Sequence, residues 1–110
     1  MDSINFNDFS KIDFRVGKVI KAENIEGAET LIRLKVDFGP LGERIILSGI
    51  KKWYKPEDLE GKDYIFVFNL EPKKMMGEES QGMIMAAEED GGNCVLLIPD
   101  REIAPGTRVH

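Results

Sequence analysis

The sequence predicts an all-β fold, a small Greek-key barrel of about five strands with short helices. Apolar residues mostly recur with a period of two, in segments about eight residues long. Glycine-rich turns separate these segments, and the helical stretches are short. The chain has 110 residues and no obvious linker, so residues 1–110 form a single predicted domain.

The first predicted strand is long and covers residues 13–22, "DFRVGKVIKA". Its apolar residues of one parity are Phe14, Val16, Ile20 and Ala22. Lys18 interrupts this pattern, and Gly17 lies at the interruption. A glycine at this place allows a bulge or a tight coil. We therefore expect one long strand to serve two halves of a closed sheet.

The later strands follow from alternation and from short apolar runs. They are "LIRLKVDF" (31–38), "ERIILSGI" (43–50), "DYIFVFNL" (63–70), "SQGMIMAA" (80–87) and "NCVLLI" (93–98). Short helices are predicted in residues 5–12 and 55–61. This size and order are those of an OB barrel, here residues 6–90 approximately. Residues 91–110 form a C-terminal β extension.

The composition is that of a globular chain, with 42% hydrophobic and 32% charged residues and a net charge of −5. A chain with net negative charge is an unusual partner for nucleic acid, which usually binds a basic face. The basic residues of this chain, however, are clustered. Four of the five charged residues between positions 11 and 21 are basic. Such clusters allow a local positive face, although ordinary solvated surface explains them equally well.

Membrane, secretory and catalytic functions lack their usual signals. No apolar run approaches the ~20 residues that span a bilayer. Residues 1–14 have no basic region that leads into an apolar stretch, so we expect no signal peptide. With one cysteine, the expected compartment is the cytoplasm. His110 is the terminal residue and Cys94 lies in an apolar run, so no nucleophile has a general base. We therefore expect that the protein is not an enzyme and that it has no cofactor and no metal site.

Binding remains, and residues 69–87, "NLEPKKMMGEESQGMIMAA", carry the best signal for it. On a closed barrel this segment connects the fourth and fifth strands, beside the face that binds oligonucleotides. Lys73 and Lys74 can contact phosphates, while the amide and hydroxyl side chains can read base edges. The methionines offer apolar surface to a base, or alternatively fill the core.

Four motifs make a family resemblance. They are "DFRVGKV" (13–19), "ILSGI" (46–50), "NLEPKKMMG" (69–77) and "SQGM" (80–83). Together they resemble the tRNA-binding domain family, over nearly the whole chain. That family includes the C-terminal domain or separate β-subunit of methionyl-tRNA synthetase, free-standing tRNA-binding proteins and the endothelial monocyte-activating polypeptide module. The resemblance implies an OB barrel, a homodimer supported by the C-terminal extension, and binding to the outside corner of tRNA by shape.

The predicted RNA-binding residues combine those that match the family motifs with the other basic clusters. They are Arg15, Lys18, Arg33, Lys35, Lys51, Lys52, Asn69, Lys73, Lys74, Ser80, Gln81 and Met83. Arg15 is equally suited to bracing the fold through a carboxylate. Glu71, Met76 and the pair Glu78-Glu79 depart from the basic pattern of the family, so we expect micromolar affinity unless a dimer joins two sites.

Several alternatives remain open at this point. The apolar residues at positions 4, 6, 9 and 12 form either a dimer face or a cover for the open end of the barrel. Trp53 and Tyr54 either stack on a nucleotide or pack on the "PEDL" turn. The same family contains a chaperone-like export protein, so a dimer that binds polypeptides is the second hypothesis. A module that only holds a synthetase together is the third.

Overall fold

The computed structural model describes all 110 residues, and its main feature is a nearly closed, barrel-shaped antiparallel sheet of five strands. These strands are β1 (Phe14–Asn24), β2 (Ile32–Asp37), β3 (Glu43–Ser48), β4 (Asp63–Val67) and β7 (Met83–Ile84). Their spatial order is β3-β2-β1-β4-β7. The prediction of an all-β, OB-like barrel is confirmed.

Shorter elements surround the barrel. They are α1 (Phe6–Phe9), a 3₁₀ turn (Gly39–Leu41), α2 (Pro56–Leu59), β5 (Lys73–Met75), β6 (Glu78–Ser80), β8 (Ala86–Glu88), β9 (Cys94–Leu96) and β10 (Arg108–Val109). β8 pairs with β9, and β10 returns to pair with the start of β1. No helix in the structure combines the length and the apolar character needed to cross a membrane.

The long first strand serves both halves of the sheet, as expected, but Gly17 is not where its register breaks. Residues 14–18 pair with β4 and residues 18–24 pair with β2, and the register shifts between Val19 and Lys21. Gly17 has a different role. A Cβ there would lie 2.6 Å from Cγ1 of Val36 and 2.9 Å from Cδ1 of Phe66. Close packing of the core, and not a bulge, requires this glycine.

The core fills the inside of the barrel with side chains from every long strand. Its fully buried members include Val19, Ile32, Leu34, Val36, Phe38, Ile46, Leu59 and Phe66. The rings of Phe38 and Phe66 meet edge to face with centroids 5.3 Å apart, a favourable aromatic geometry. A core that is apolar throughout leaves polar chemistry to the outer surface and the connections.

Candidate nucleic-acid interface

The basic segment between β4 and β7 is a β-hairpin rather than an irregular loop, which the sequence did not predict. β5 pairs with β6, so that Lys73 lies opposite Ser80 and Lys74 lies opposite Glu79. Met76 and Gly77 form the two-residue turn with φ values of 50° and 82°. Positive φ at both central positions is the geometry of a type I′ hairpin. We call residues 73–80 the basic hairpin.

Two cationic groups on the basic hairpin are free of carboxylates. Lys73 and Lys74 are exposed, and neither ammonium group lies within 4.0 Å of an acidic oxygen, although Glu79 is the cross-strand neighbour of Lys74. A lysine without an ion-pair partner does not have to break a contact before it binds a phosphate. These two residues therefore remain the best placed of the predicted cations.

Arg33 has a different role, because it fastens the basic hairpin to β2. Its Nε lies 2.8 Å from Oε1 of Glu78, and its Nη1 lies 3.0 Å from Oε1 of Glu23. The hydrogen bond to Glu78 is the largest cause that raises the pKa of the Arg33 guanidinium. With two carboxylates beside it, Arg33 has little net positive charge to offer a phosphate. Its prediction as an RNA contact stays untested.

Ser80 and Gln81 close the barrel by bonding to the exposed edge of β3. The backbone N–H of Gln81 donates to the Ile45 carbonyl at 2.8 Å, and Oε1 of Gln81 accepts from the Ile45 N–H at 2.9 Å. Oγ of Ser80 is buried and accepts from the Leu47 N–H at 3.0 Å. Side chains thus satisfy edge groups that a strand partner normally satisfies. Of these two predicted contacts, only Gln81 keeps an unbonded polar group, its Nε2.

The remaining residues of the "SQGM" motif have separate tasks. Gly82 has a φ of 148°, and a Cβ there would lie 2.8 Å from the Val67 carbonyl oxygen. A side chain at this position would force β7 away from β4. Met83 is 45% exposed and is available to a ligand. The motif therefore mainly closes the barrel, and only its Met83 side chain offers an apolar contact to a ligand.

Asn69 and Arg15 brace the N-terminal connection. Oδ1 of Asn69 accepts from the Asp13 N–H at 2.8 Å, and its Nδ2 donates to the Lys11 carbonyl at 2.7 Å. Nε of Arg15 lies 2.7 Å from Oδ1 of Asp13, while its Nη1 donates to the Gly106 carbonyl at 3.1 Å. For Arg15, these contacts are of the kind expected if it braces the fold through a carboxylate. RNA binding by either residue stays a prediction.

The other predicted cations are dispersed. Lys35 pairs with Glu43 at 3.4 Å, and Nζ of Lys51 donates to the Ala28 carbonyl at 3.2 Å. Lys52 forms no ion pair, and its Nζ lies 5.6 Å from the centroid of the Trp53 ring. Lys18 lines a separate cavity together with Lys62, Asp63, Arg101 and Glu102. The fold thus does not gather all the predicted cations into one patch.

Arg44 is a residue that sequence reasoning missed. Cζ of its guanidinium lies over the Phe68 ring, 3.5 Å from the centroid, and its Nη1 donates to the carbonyls of Phe68 and Gln81. It borders a cavity that Asn69 and Glu71 also line. The sequence offered no signal for it, since Arg44 stands outside every basic cluster and next to Glu43.

Trp53 and Tyr54 form hydrogen bonds with the C-terminal part of the chain, and both pack against the core cluster that contains Leu59 of the "PEDL" turn. The Trp53 Nε1–H donates to the Gly92 carbonyl at 2.6 Å. The Tyr54 hydroxyl accepts from the Leu96 N–H at 3.1 Å. Their polar atoms are therefore engaged, which leaves only part of each ring surface for stacking.

An exposed apolar surface lies around α1 and the start of β1. Phe6 is 75% exposed and Ile12 is 38% exposed. Ile12 lines two neighbouring cavities, one with Phe6 and Phe9 and the other with Leu70 and Met85. We call Phe6, Phe9, Ile12 and Leu70 the apolar face. No residue of α1 is fully buried, although Phe9 is half-buried and its ring centroid lies 6.2 Å from that of Phe14.

These features match a known family over most of the chain. A family model described as "Putative tRNA binding domain" matches residues 14–108. The chain belongs to the tRNA-binding domain family. A tRNA-binding domain is a non-catalytic module, and the basic hairpin and its closing motif both lie within the matched residues.

Curated relatives of this tRNA-binding domain are much longer than the chain. The methionine–tRNA ligase of Archaeoglobus fulgidus is 50% identical over 108 residues, covering 98% of this chain and 16% of the relative. The methionine–tRNA ligase of Pyrococcus horikoshii is 49% identical over 110 residues, covering 100% of this chain and 15% of the relative. The chain thus spans about a sixth of the length of the curated relatives it matches.

Three solved structures similar to this tRNA-binding domain are of its own size. A MetRS-related protein from Pyrococcus horikoshii superposes with a TM-score of 0.94 at 45% identity, covering 100% of both chains. The chaperone CsaA from Bacillus anthracis gives 0.90 at 37% identity, over 99% of this chain and 100% of the other. CsaA from Picrophilus torridus gives 0.88 at 33% identity, over 98% and 100%.

Proposed function

We propose that the chain is a structure-specific tRNA-binding protein without catalytic activity of its own. It works in the cytoplasm, either free-standing or as a β-subunit-like accessory module of methionyl-tRNA synthetase. The family match supports the tRNA part of this proposal, and relatives named as methionine–tRNA ligases support the synthetase part. The similarity to a MetRS-related protein of equal length supports a separate subunit.

The observation that carries the proposal is a pair of unpaired lysines on an anchored hairpin. Three contacts fix the basic hairpin and the residue after it to the sheet. They are Arg33–Glu78, Ser80–Leu47 and Gln81–Ile45. Lys73 and Lys74 project from this support without carboxylate partners. Because the backbone beneath them is already ordered, the entropy lost on phosphate binding is mainly that of the lysine side chains.

Phosphate contacts alone recognise the shape of a folded RNA and not its sequence. Lys73 and Lys74 supply such contacts in our proposal, with Lys51 and Lys52 at the end of β3 adding to them. Nε2 of Gln81 adds one neutral donor. Arg15, Arg33 and Lys35 act by holding the surface in shape, since each is paired with a carboxylate. Lys18 lies in a separate cavity and makes at most a peripheral contact.

We further propose a homodimer that uses the apolar face. Phe6, Ile12 and Leu70 are solvent-exposed there, and apolar surface of this kind marks an interaction site. In this arrangement residues 91–110 support dimerisation beside a barrel of residues 6–90 approximately. β10 of that segment already borders the apolar face through Val109. Two basic hairpins in one dimer raise the affinity above the micromolar value expected of a single site.

Electrophoretic mobility shift of total tRNA at 50 mM and 200 mM salt tests the proposed function. We expect a discrete shift with micromolar Kd at the lower salt and a steep loss at the higher salt, because counterion release drives phosphate binding. Analytical ultracentrifugation of the wild type and of Phe6→Glu tests the dimer in parallel. A failure to shift tRNA at 50 mM salt would contradict the tRNA-binding role.

A second candidate function is polypeptide binding by the same dimer. The similarity to two structures of the chaperone CsaA favours it, as does the exposed apolar face. Surfaces that carry methionine adapt to varied apolar peptides. Light scattering during refolding of a test client measures this activity. Suppressed aggregation without any tRNA shift would replace our first proposal with this one.

A further inference from the structure

A cavity of about 370 Å³ lies between the end of β3 and the β7–β8 segment. Apolar side chains line most of it, among them Met75 from the basic hairpin, Met83 and Met85. Gly49 and Ile50 form its border at the end of β3. We call this cavity the methionine cleft. Its size lies within the range of small-molecule pockets, which are mostly apolar with a few polar groups.

Backbone donors lie at one border of the methionine cleft. β3 ends at Ser48, and neither Gly49 nor Ile50 donates its N–H to an acceptor in the protein. Ile50 is a buried residue, and the backbone N–H groups of buried residues are usually bonded. The N–H groups of Gly49 and Ile50 suit a ligand whose edge carries hydrogen-bond acceptors.

The glycine at position 49 is one that the fold does not require. Its φ is not positive, and a Cβ built on it would meet no atom within 4 Å. Gly17 and Gly82, by contrast, are crowded by core or backbone atoms. A glycine without an internal reason lets another molecule approach the backbone closely. The open space beside Gly49 is the methionine cleft.

An acceptor also lines the methionine cleft. The exposed Glu88 lines the methionine cleft together with the buried Cys94, its cross-strand neighbour. Burial raises the pKa of the Cys94 thiol, and the negative charge of Glu88 adds to the effect, which shows that the carboxylate is near. The cleft thus offers two donors, one acceptor and apolar walls between them.

Lysines flank the methionine cleft on both sides along the chain. Lys51 and Lys52 directly follow Ile50, and Lys74 directly precedes Met75. These lysines are close to the cleft in the chain, although Nζ of Lys51 donates to the Ala28 carbonyl. An apolar peptide side chain would fill the walls without pairing the two N–H groups or the carboxylate. A nucleobase has a flat apolar face, an edge with donors and acceptors, and phosphates on either side.

We propose that the methionine cleft binds one unpaired nucleobase of the bound RNA, with its edge on the Gly49 and Ile50 N–H groups and on Glu88. This inference rests on the proposed tRNA-binding function and adds a base-binding subsite to the phosphate contacts. The thioether side chains of Met75 and Met83 cover the faces of the base. The protein then recognises an unpaired nucleotide that lies at a fixed distance from the RNA phosphates bound by the lysines.

The tRNA affinities of paired glycine variants test this inference. Gly49→Leu fills the methionine cleft, and Gly91→Leu is its matched control, since a Cβ at Gly91 also meets nothing within 4 Å and its φ is not positive. Gly49→Ala gives a smaller step. We expect Gly49→Leu to raise the Kd for tRNA about tenfold and Gly91→Leu to leave it unchanged. Equal affinity of Gly49→Leu and wild type would overturn the inference while the tRNA-binding function stands.

Nuclear magnetic resonance of the wild-type protein gives an independent readout that needs no variant. AMP, GMP, CMP and UMP are each titrated, with ribose 5-phosphate as the control that lacks a base. We expect the amide signals of Gly49 and Ile50 and the methyl signals of Met75 and Met83 to shift with nucleotides only. Shifts caused by an apolar peptide but by no nucleotide would overturn the inference. If wild type fails to bind tRNA, the proposed function fails, and these titrations alone decide the cleft.

Discussion

Arg33 and Glu78 join the barrel to the basic hairpin, with Nε of the guanidinium 2.8 Å from Oε1 of the carboxylate. The two residues are 45 positions apart in the chain, and Glu23 adds a second contact to the same guanidinium. A cation that the sequence assigns to RNA binding thus positions the hairpin that carries Lys73 and Lys74. The position of those lysines depends on a contact that touches no RNA in our account.

Removing this ion pair should loosen the basic hairpin. Arg33→Met and Glu78→Gln, alone and combined, form a double-mutant cycle in urea denaturation. We expect a coupling of about 0.5–1 kcal/mol, because both groups are partly exposed and solvent screens them. Both single variants should also weaken tRNA binding by a few-fold. If Glu78→Gln instead tightened tRNA binding, Arg33 would be a phosphate contact that Glu78 restrains.

Gly17 should be intolerant of any side chain. In Gly17→Ala the new methyl group meets three core side chains at 2.6–2.9 Å, so these side chains must shift. We expect a loss of about 1–3 kcal/mol in the free energy of unfolding, which is typical of overpacked cores. Gly91→Ala is the matched control and should change stability by less than about 0.5 kcal/mol. Similar stabilities of the two variants would contradict the tight packing described for β1.

The turn of the basic hairpin can be improved. Met76 adopts a φ of 50°, which asparagine tolerates better than methionine does. Met76→Asn should therefore slow hydrogen exchange of the hairpin amides and stabilise the hairpin by roughly 1 kcal/mol. Gly77→Ala, at a φ of 82°, should have the opposite effect. Faster exchange in Met76→Asn would show that the turn is not of type I′.

The buried thiol should make stability fall at alkaline pH. Burial raises the pKa of Cys94 in the folded state above the unfolded value of about 8.5. Its contribution to stability is therefore complete below pH 8.5 and is lost as the pH rises through the folded value. Urea denaturation of wild type and Cys94→Ala at pH 7.5 and 10 measures this. The stability advantage of wild type should shrink at pH 10, and an unchanged difference would contradict it.

The barrel was predictable because its signals are local. Period-two alternation in "LIRLKVDF" and the apolar runs of β3 and β4 identify strands without reference to the rest of the chain. The basic hairpin was not predictable in the same way. Its strands have three residues each, without alternation, and Met-Gly is not a usual pair for a tight turn. Short strands of this kind form because contacts with β3 support them.

The candidate site was predictable only in part, for a similar reason. Lys73 and Lys74 stand out by charge alone, and the structure leaves both unpaired. Whether a serine or an arginine faces a ligand or the fold depends on non-local partners. Ser80 turned out to be buried against Leu47, and Arg44 turned out to lie over Phe68. Neither contact leaves a trace in the local sequence.

The proposed function depends on tRNA binding by the two unpaired lysines of the basic hairpin. One variant protein carries both Lys73→Glu and Lys74→Glu. A charge-matched control carries both Lys55→Glu and Lys62→Glu, which flank α2. The measurement is the Kd for total tRNA by mobility shift at low salt. We predict that the hairpin variant loses binding and that the control stays within about threefold of wild type. Equal Kd values for the hairpin variant and wild type would contradict the account.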